Sequence, residues 1–148
     1  MAHLLMIDDN PQNQRYLGRI IRLRTKHLFH VASSGPEGIE QIVAERPDLI
    51  FLDLFLPGID GFELYNLLRD HPATHSIPII IHSAIPLDDI TQIRMRRIQC
   101  DAFIEFPVEA SVLVRTIEKV LQKNRVGIKK WVPPKAVSYT HLTLPTNR

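Results

Sequence analysis

Pro47-Asp48-Leu49-Ile50-Phe51-Leu52-Asp53-Leu54-Phe55-Leu56-Pro57-Gly58-Ile59-Asp60-Gly61 carries an unbroken apolar run that ends on an aspartate, with a proline–glycine break close behind. A run this short has the length of a strand, and apolar residues at every position rather than every second one mark a strand covered on both faces. Such strands belong to parallel sheets, where each connection must cross over and lays a helix on one face. Asp53 is therefore a carboxylate at the carboxyl end of a central strand, and Gly58 and Gly61 break the chain beyond it.

The same alternation of apolar runs and amphipathic stretches extends in both directions. Strands are predicted at residues 4–7, 27–32, 49–52, 77–81 and 102–104, with the third and fourth central because they are nearly all apolar. Asn10 can cap a first helix that has Pro11 in its first turn and Tyr16, Leu17, Ile20 and Ile21 on one face. Ser34 and Glu37 have the spacing of a capping box, with Ile39, Ile42 and Val43 as the buried stripe and Pro47 past the end. Phe62, Tyr65 and Leu68 give a short third helix that stops before Pro72. Helix four, over 87–98, carries Ile90, Ile93 and Ile98 but also Arg94, Arg96 and Arg97, which predicts partial burial. Helix five places Leu113, Ile117, Val120 and Leu121 at helical spacing. With right-handed crossovers this predicts an α/β fold: a single doubly wound five-stranded parallel sheet, flavodoxin-like (βα)5, of order 2-1-3-4-5.

A chain of 148 residues, 45% hydrophobic and 23% charged, has room for one domain and a tail. No apolar run approaches the roughly 20 residues of a membrane span, and the first residues lack a secretory signal, so the expectation is a cytoplasmic protein without a membrane partner. The lone Cys100 allows no internal disulfide and reads as a buried or half-buried side chain. Residues 1–124 hold 13 Lys and Arg against 16 Asp and Glu, whereas 125–148 hold 5 basic residues and no acid. The basicity belongs to the tail, and direct nucleic-acid binding by the folded part is not indicated. The local cluster of Arg15, Arg19, Arg22, Arg24 and Lys26 reads as the solvated face of helix one.

Ligands of such sheets sit beyond the carboxyl ends of the strands, where the winding reverses. Asp8 and Asp9 close strand one, Asp53 closes strand three and Ser83 closes strand four. Crowded carboxylates repel one another unless a cation offsets them, and a hard divalent ion, Mg2+, suits a few carboxylates, waters and phosphate oxygens. Asp8, Asp9 and Asp53 are the expected metal ligands, joined by the backbone carbonyl of Phe55. A carboxylate beside such an ion can act as a nucleophile toward phosphorus, and Asp53 is the best placed. His71 and His75 are separated by Pro72 and lack a third ligand, so they read as loop residues. His82 points to the face opposite Ser83 in a regular strand, and packing is its expected role.

Three motifs in their usual order resemble the response regulator receiver family over residues 3 to about 123: Asp8-Asp9 followed by an asparagine, the stretch from Pro47 to Leu64, and Ile77-Pro78-Ile79-Ile80-Ile81-His82-Ser83-Ala84. The resemblance implies a switch module rather than a turnover enzyme. A histidine kinase or phosphotransfer protein donates a phosphoryl group to Asp53, and Ser83 turns to hydrogen-bond its oxygens. Phe103 matches the aromatic position that moves with this switch, and the helix four to helix five face contacts a downstream protein. One departure stands out. The family has a lysine directly before the proline after strand five, and here that position is Phe106. Its absence removes a charge-assisted contact, which raises the alternative of a degenerate receiver that binds partners independently of phosphorylation. The Phe106-Pro107 bond can be cis, since only X-Pro bonds reach cis at low cost. Apolar Phe55 and Ile85 flank the site and predict slow self-dephosphorylation. An aspartate-nucleophile phosphatase is disfavoured because the two early acids are adjacent and residue 10 is Asn10.

The expected boundaries are a receiver domain over 1–124, a linker or disordered tail over 125–136, and 137–148, which resembles translated sequencing-adaptor read-through.

Overall fold

The computed structural model describes residues 1–127, so the expected tail and adaptor-like segment from residue 128 onward lie outside the described residues. Ten elements alternate: β1 (His3–Ile7), α1 (Pro11–Arg24), β2 (Leu28–Ala32), α2 (Gly35–Ala44), β3 (Leu49–Asp53), α3 (Gly61–Asp70), β4 (Ile79–Ser83), α4 (Asp89–Arg97), β5 (Ala102–Glu105) and α5 (Ala110–Gly127). The strands form one parallel sheet in the order β2-β1-β3-β4-β5, the order expected from five strands joined by right-handed crossovers. α5 continues past residue 124.

Strand alternation sorts the core into two halves. Leu5, Ile7, Ile50, Leu52, Ile79 and Ile81 face one way and pack with Ile39 and Ile42 of α2 and with Phe62, Tyr65 and Leu68 of α3. Leu4, Met6, Leu49, Phe51, Ile80 and Ile104 face the other way, against Leu17 and Ile21 of α1 and Leu113, Ile117, Val120 and Leu121 of α5. Every residue of β3 and of β4 is buried, as their continuous apolar runs require.

The helix starts follow their caps. Asn10 Oδ1 accepts the amide hydrogens of Gln12 and Asn13 at 2.8 and 3.3 Å, and Asp60 Oδ1 accepts that of Phe62 at 2.7 Å. Ser34 Oγ accepts from the Glu37 amide at 3.2 Å, while the returning Glu37 carboxylate takes the amide of Ser33 rather than of Ser34.

Two expectations need correction. β4 begins at Ile79 rather than 77, because Pro78 has no amide hydrogen to enter the ladder. Val43 is not part of the buried stripe of α2; it is 38% exposed, directly after Ile42, the last buried residue of that helix. α4 is only partly buried, as its arginines predicted, with Met95 packed against the core. None of its residues is buried, and Ile90 is 72% exposed.

Candidate functional site

The alternation that sorts the core also assembles the site. Asp8 continues the face of Leu4 and Met6, Asp53 that of Leu49 and Phe51, and His82 that of Ile80. Asp53 and His82 are direct partners in the β3–β4 ladder. Their side chains converge, and carboxylate oxygens of Asp8 and Asp53 and a ring nitrogen of His82 lie within 4.8 Å of one another. All three residues are buried.

Asp8 is the most heavily bonded of them. Its Oδ1 accepts from the Asn10 amide at 2.8 Å. Its Oδ2 accepts from Asn13 Nδ2 at 3.1 Å and lies 2.9 Å from His82 Nε2. Burial alone would raise the pKa of Asp8, but the hydrogen bonds from His82, Asn10 and Asn13, with the attraction of His82, hold it below the ordinary carboxylate value. Asp53 has fewer donors, with Oδ1 accepting from the Phe55 amide at 3.1 Å. Burial and then the charge of Asp8 push its carboxyl up to about 6, against the opposing influence of His82.

Above this floor lies an open cleft lined by Asp9, Asn13, Arg15, Asp53, Phe55 and Ile85, among others. Asp9 is exposed at its rim, whereas Asp8 lies beneath it. Arg15, expected on a purely solvated face, is part of the lining. The cleft presents the carboxylates of Asp9 and Asp53 above Asp8, and a cation there would offset the repulsion between neighbouring carboxylates. That chemistry fits a hard divalent ion such as Mg2+.

Ser83 does not join this cluster. It lies on the other face of β4, where its hydroxyl donates to the Ile85 carbonyl at 2.6 Å and accepts from the Ile85 amide at 3.2 Å. Phe103 is half-buried against the α2 and α3 half of the core. Phe106 fills the space beside the site. Its ring stacks on His82 at 4.9 Å between centroids and meets the edge of Tyr16 at 5.7 Å. Tyr16 from α1 in turn hydrogen-bonds both backbone groups of Val108. The Phe106-Pro107 peptide is cis, as the X-Pro chemistry allowed.

His82 is the site residue that sequence reasoning missed. Packing was its expected role, but the ring is bonded to Asp8. The signal was present in strand parity, because residues 80 and 82 share the face of 51 and 53 once β3 and β4 are paired in register. Arg94 also departs from a solvated reading, since it pairs with Asp60 at 3.0 Å and lies over the Phe62 ring at 4.0 Å. Cys100 is half-buried and its thiol pKa is raised by burial. His71 lies in the turn after α3, its Nδ1 accepting from the Ala73 amide.

Among the described residues no helix is long and apolar enough to cross a membrane. Residues 4–118 match the family model of the response regulator receiver domain. The transcriptional regulatory protein AfsQ1 of Streptomyces coelicolor is 36% identical over 124 residues, which cover 84% of this chain and 53% of that protein. The protein PilH of Pseudomonas aeruginosa is 27% identical over 121 residues, 82% of this chain and 98% of its own. In fold, the signal receiver domain of a Syntrophus aciditrophicus signal transduction histidine kinase superposes with a TM-score of 0.79 at 24% identity, covering 91% of this chain and 99% of that one. This chain spans about half the length of the Streptomyces protein and nearly all of PilH. Sheet order, acidic cleft and family match converge on one assignment: the chain belongs to the response regulator receiver domain family of two-component signalling.

Proposed function

We propose that Asp53 is the phosphoacceptor of this receiver and that a histidine kinase or phosphotransfer protein is the donor. The observation that carries this reading is a buried carboxylate with few hydrogen-bond donors, raised in pKa and facing an open cleft beside Asp9. An Asp53 oxygen forms the new O–P bond as the donor's N–P bond breaks, and the electron pair of that bond leaves with the donor imidazole. Asp8, Asp9, Asp53 and the Phe55 carbonyl are the residues that would hold Mg2+. Bound there, the ion supplies charge neutralisation for the transferring group. Ser83 would then leave its bond to Ile85 for the phosphoryl oxygens, with Phe103 on the same face following it. The module, residues 1–124, is a switch that signals through protein contacts at the α4 to α5 face, where Ile90 and Ile93 are exposed. Phe55 and Ile85 at the cleft present apolar surface to an attacking water, which supports a slow loss of the phosphoryl group.

The test is phosphoryl incorporation from acetyl phosphate with Mg2+, read by intact mass. One phosphoryl group is expected on the wild type and none on Asp53→Asn. A second reading, a receiver that binds partners without phosphate, is favoured by Phe106 beside the site; absence of incorporation in both proteins would establish it over the first.

A further inference from the structure

We propose that His82 is a positioning residue of the phosphoacceptor site, holding the Asp8 carboxylate from beneath so that an anionic phosphoryl group can approach Asp53. This rests on the reading of Asp53 as phosphoacceptor. His82 and Asp8 are both fully buried and joined at 2.9 Å. Among the described residues His82 Nδ1 is buried without a partner, so the polar contact that justifies an imidazole here is the one its Nε2 makes with Asp8. An apolar side chain would fill the same volume without leaving a ring nitrogen unpaired. The ring also stands beside Asp53 in the ladder. Without this contact the floor of the cleft would present Asp8 to an incoming anion with only two amide donors against it.

Phe106 fixes the geometry. Stacked on the imidazole at 4.9 Å with the planes 19° apart, it holds the ring in the orientation that sends Nε2 toward Asp8. Residue 106 thus touches the imidazole that holds this carboxylate, and a long basic side chain placed there could replace the donor that His82 supplies.

The experiment compares initial rates of Asp53 phosphorylation by acetyl phosphate with Mg2+ in the wild type, His82→Leu, His82→Gln and the double variant His82→Leu/Phe106→Lys, each checked for a cooperative melt. His82→Leu should be at least about tenfold slower, the size of effect that loss of a supporting hydrogen bond to a site carboxylate produces. His82→Gln, which keeps an N–H at similar reach, and the double variant should both return to within about threefold of the wild type. A merely structural histidine would not be rescued by a lysine in the turn after β5. The assignment is overturned if His82→Leu keeps the wild-type rate, or if it is slow and neither Gln nor the added lysine restores it. Should His82→Leu not fold, the Gln and double variants decide by the same threshold. No incorporation in the wild type overturns the phosphoacceptor reading itself, and this assignment with it.

Discussion

At the scale of single residues, Asp53 illustrates how a site is built against the stability of the fold. Its carboxyl ordinarily titrates near 3.8 and is raised to about 6 by burial and by Asp8. Between these values the folded chain keeps a proton that the unfolded chain releases. The stability linked to this group is therefore complete below about 3.8 and is lost as pH rises through about 6. In metal-free buffer Asp53→Asn should be the more stable protein at pH 7, by about 2 to 3 kcal/mol. That advantage should shrink as pH falls toward 4. Urea denaturation of the two proteins across this range checks it, and a gap that does not change with pH would contradict the raised pKa.

At the scale of elements, the junction between β3 and α3 is the tightest constraint on the site. A Cβ at Gly61 would lie 2.5 Å from the Asp53 carbonyl oxygen and 2.6 Å from Leu54 Cα, both backbone atoms that cannot swing aside. Gly61→Ala should cost about 1 to 3 kcal/mol in denaturant unfolding, since relief requires moving the end of β3. The same displacement should slow phosphorylation of Asp53; full activity with full stability would show that the strand end yields more easily than its packing suggests. α4 is the opposite case. Its residues bury nothing completely, and its last turn is basic. Ile90→Ser should therefore change stability by less than about 0.5 kcal/mol, whereas loss of a partner's binding at this face should accompany it if the α4 surface carries output. Thermal melts and binding to the downstream protein separate the two effects.

At the scale of the whole molecule, the sheet is held by two half-cores, one on each of its faces. Phe51 lies at the centre of the α1 and α5 half with no exposed surface, and Leu52 beside it belongs to the other half. Phe51→Ala should cost about 3 to 5 kcal/mol, because the surrounding side chains from β1, β4, α1 and α5 cannot all close the cavity. A cost below about 1 kcal/mol would mean that this half-core repacks freely.

The sequence by itself determined the element order, the helix caps at Asn10 and Ser34, and the carboxylates at the ends of β1 and β3. These features are local or follow from period and run length, which single segments carry in full. It also carried Phe106 as a departure, because that position is defined by Pro107 next to it. What only the tertiary structure decided was which ends face each other. Asp8, Asp53 and His82 come from three strands, and their meeting depends on register between β3 and β4, which no one segment encodes. The same pairing sends Ser83 to the far side of the sheet, where its hydroxyl bonds to its own loop. The exposure of α4 was likewise undecided by its isoleucines, since spacing shows which residues share a face but not how closely that face approaches the core.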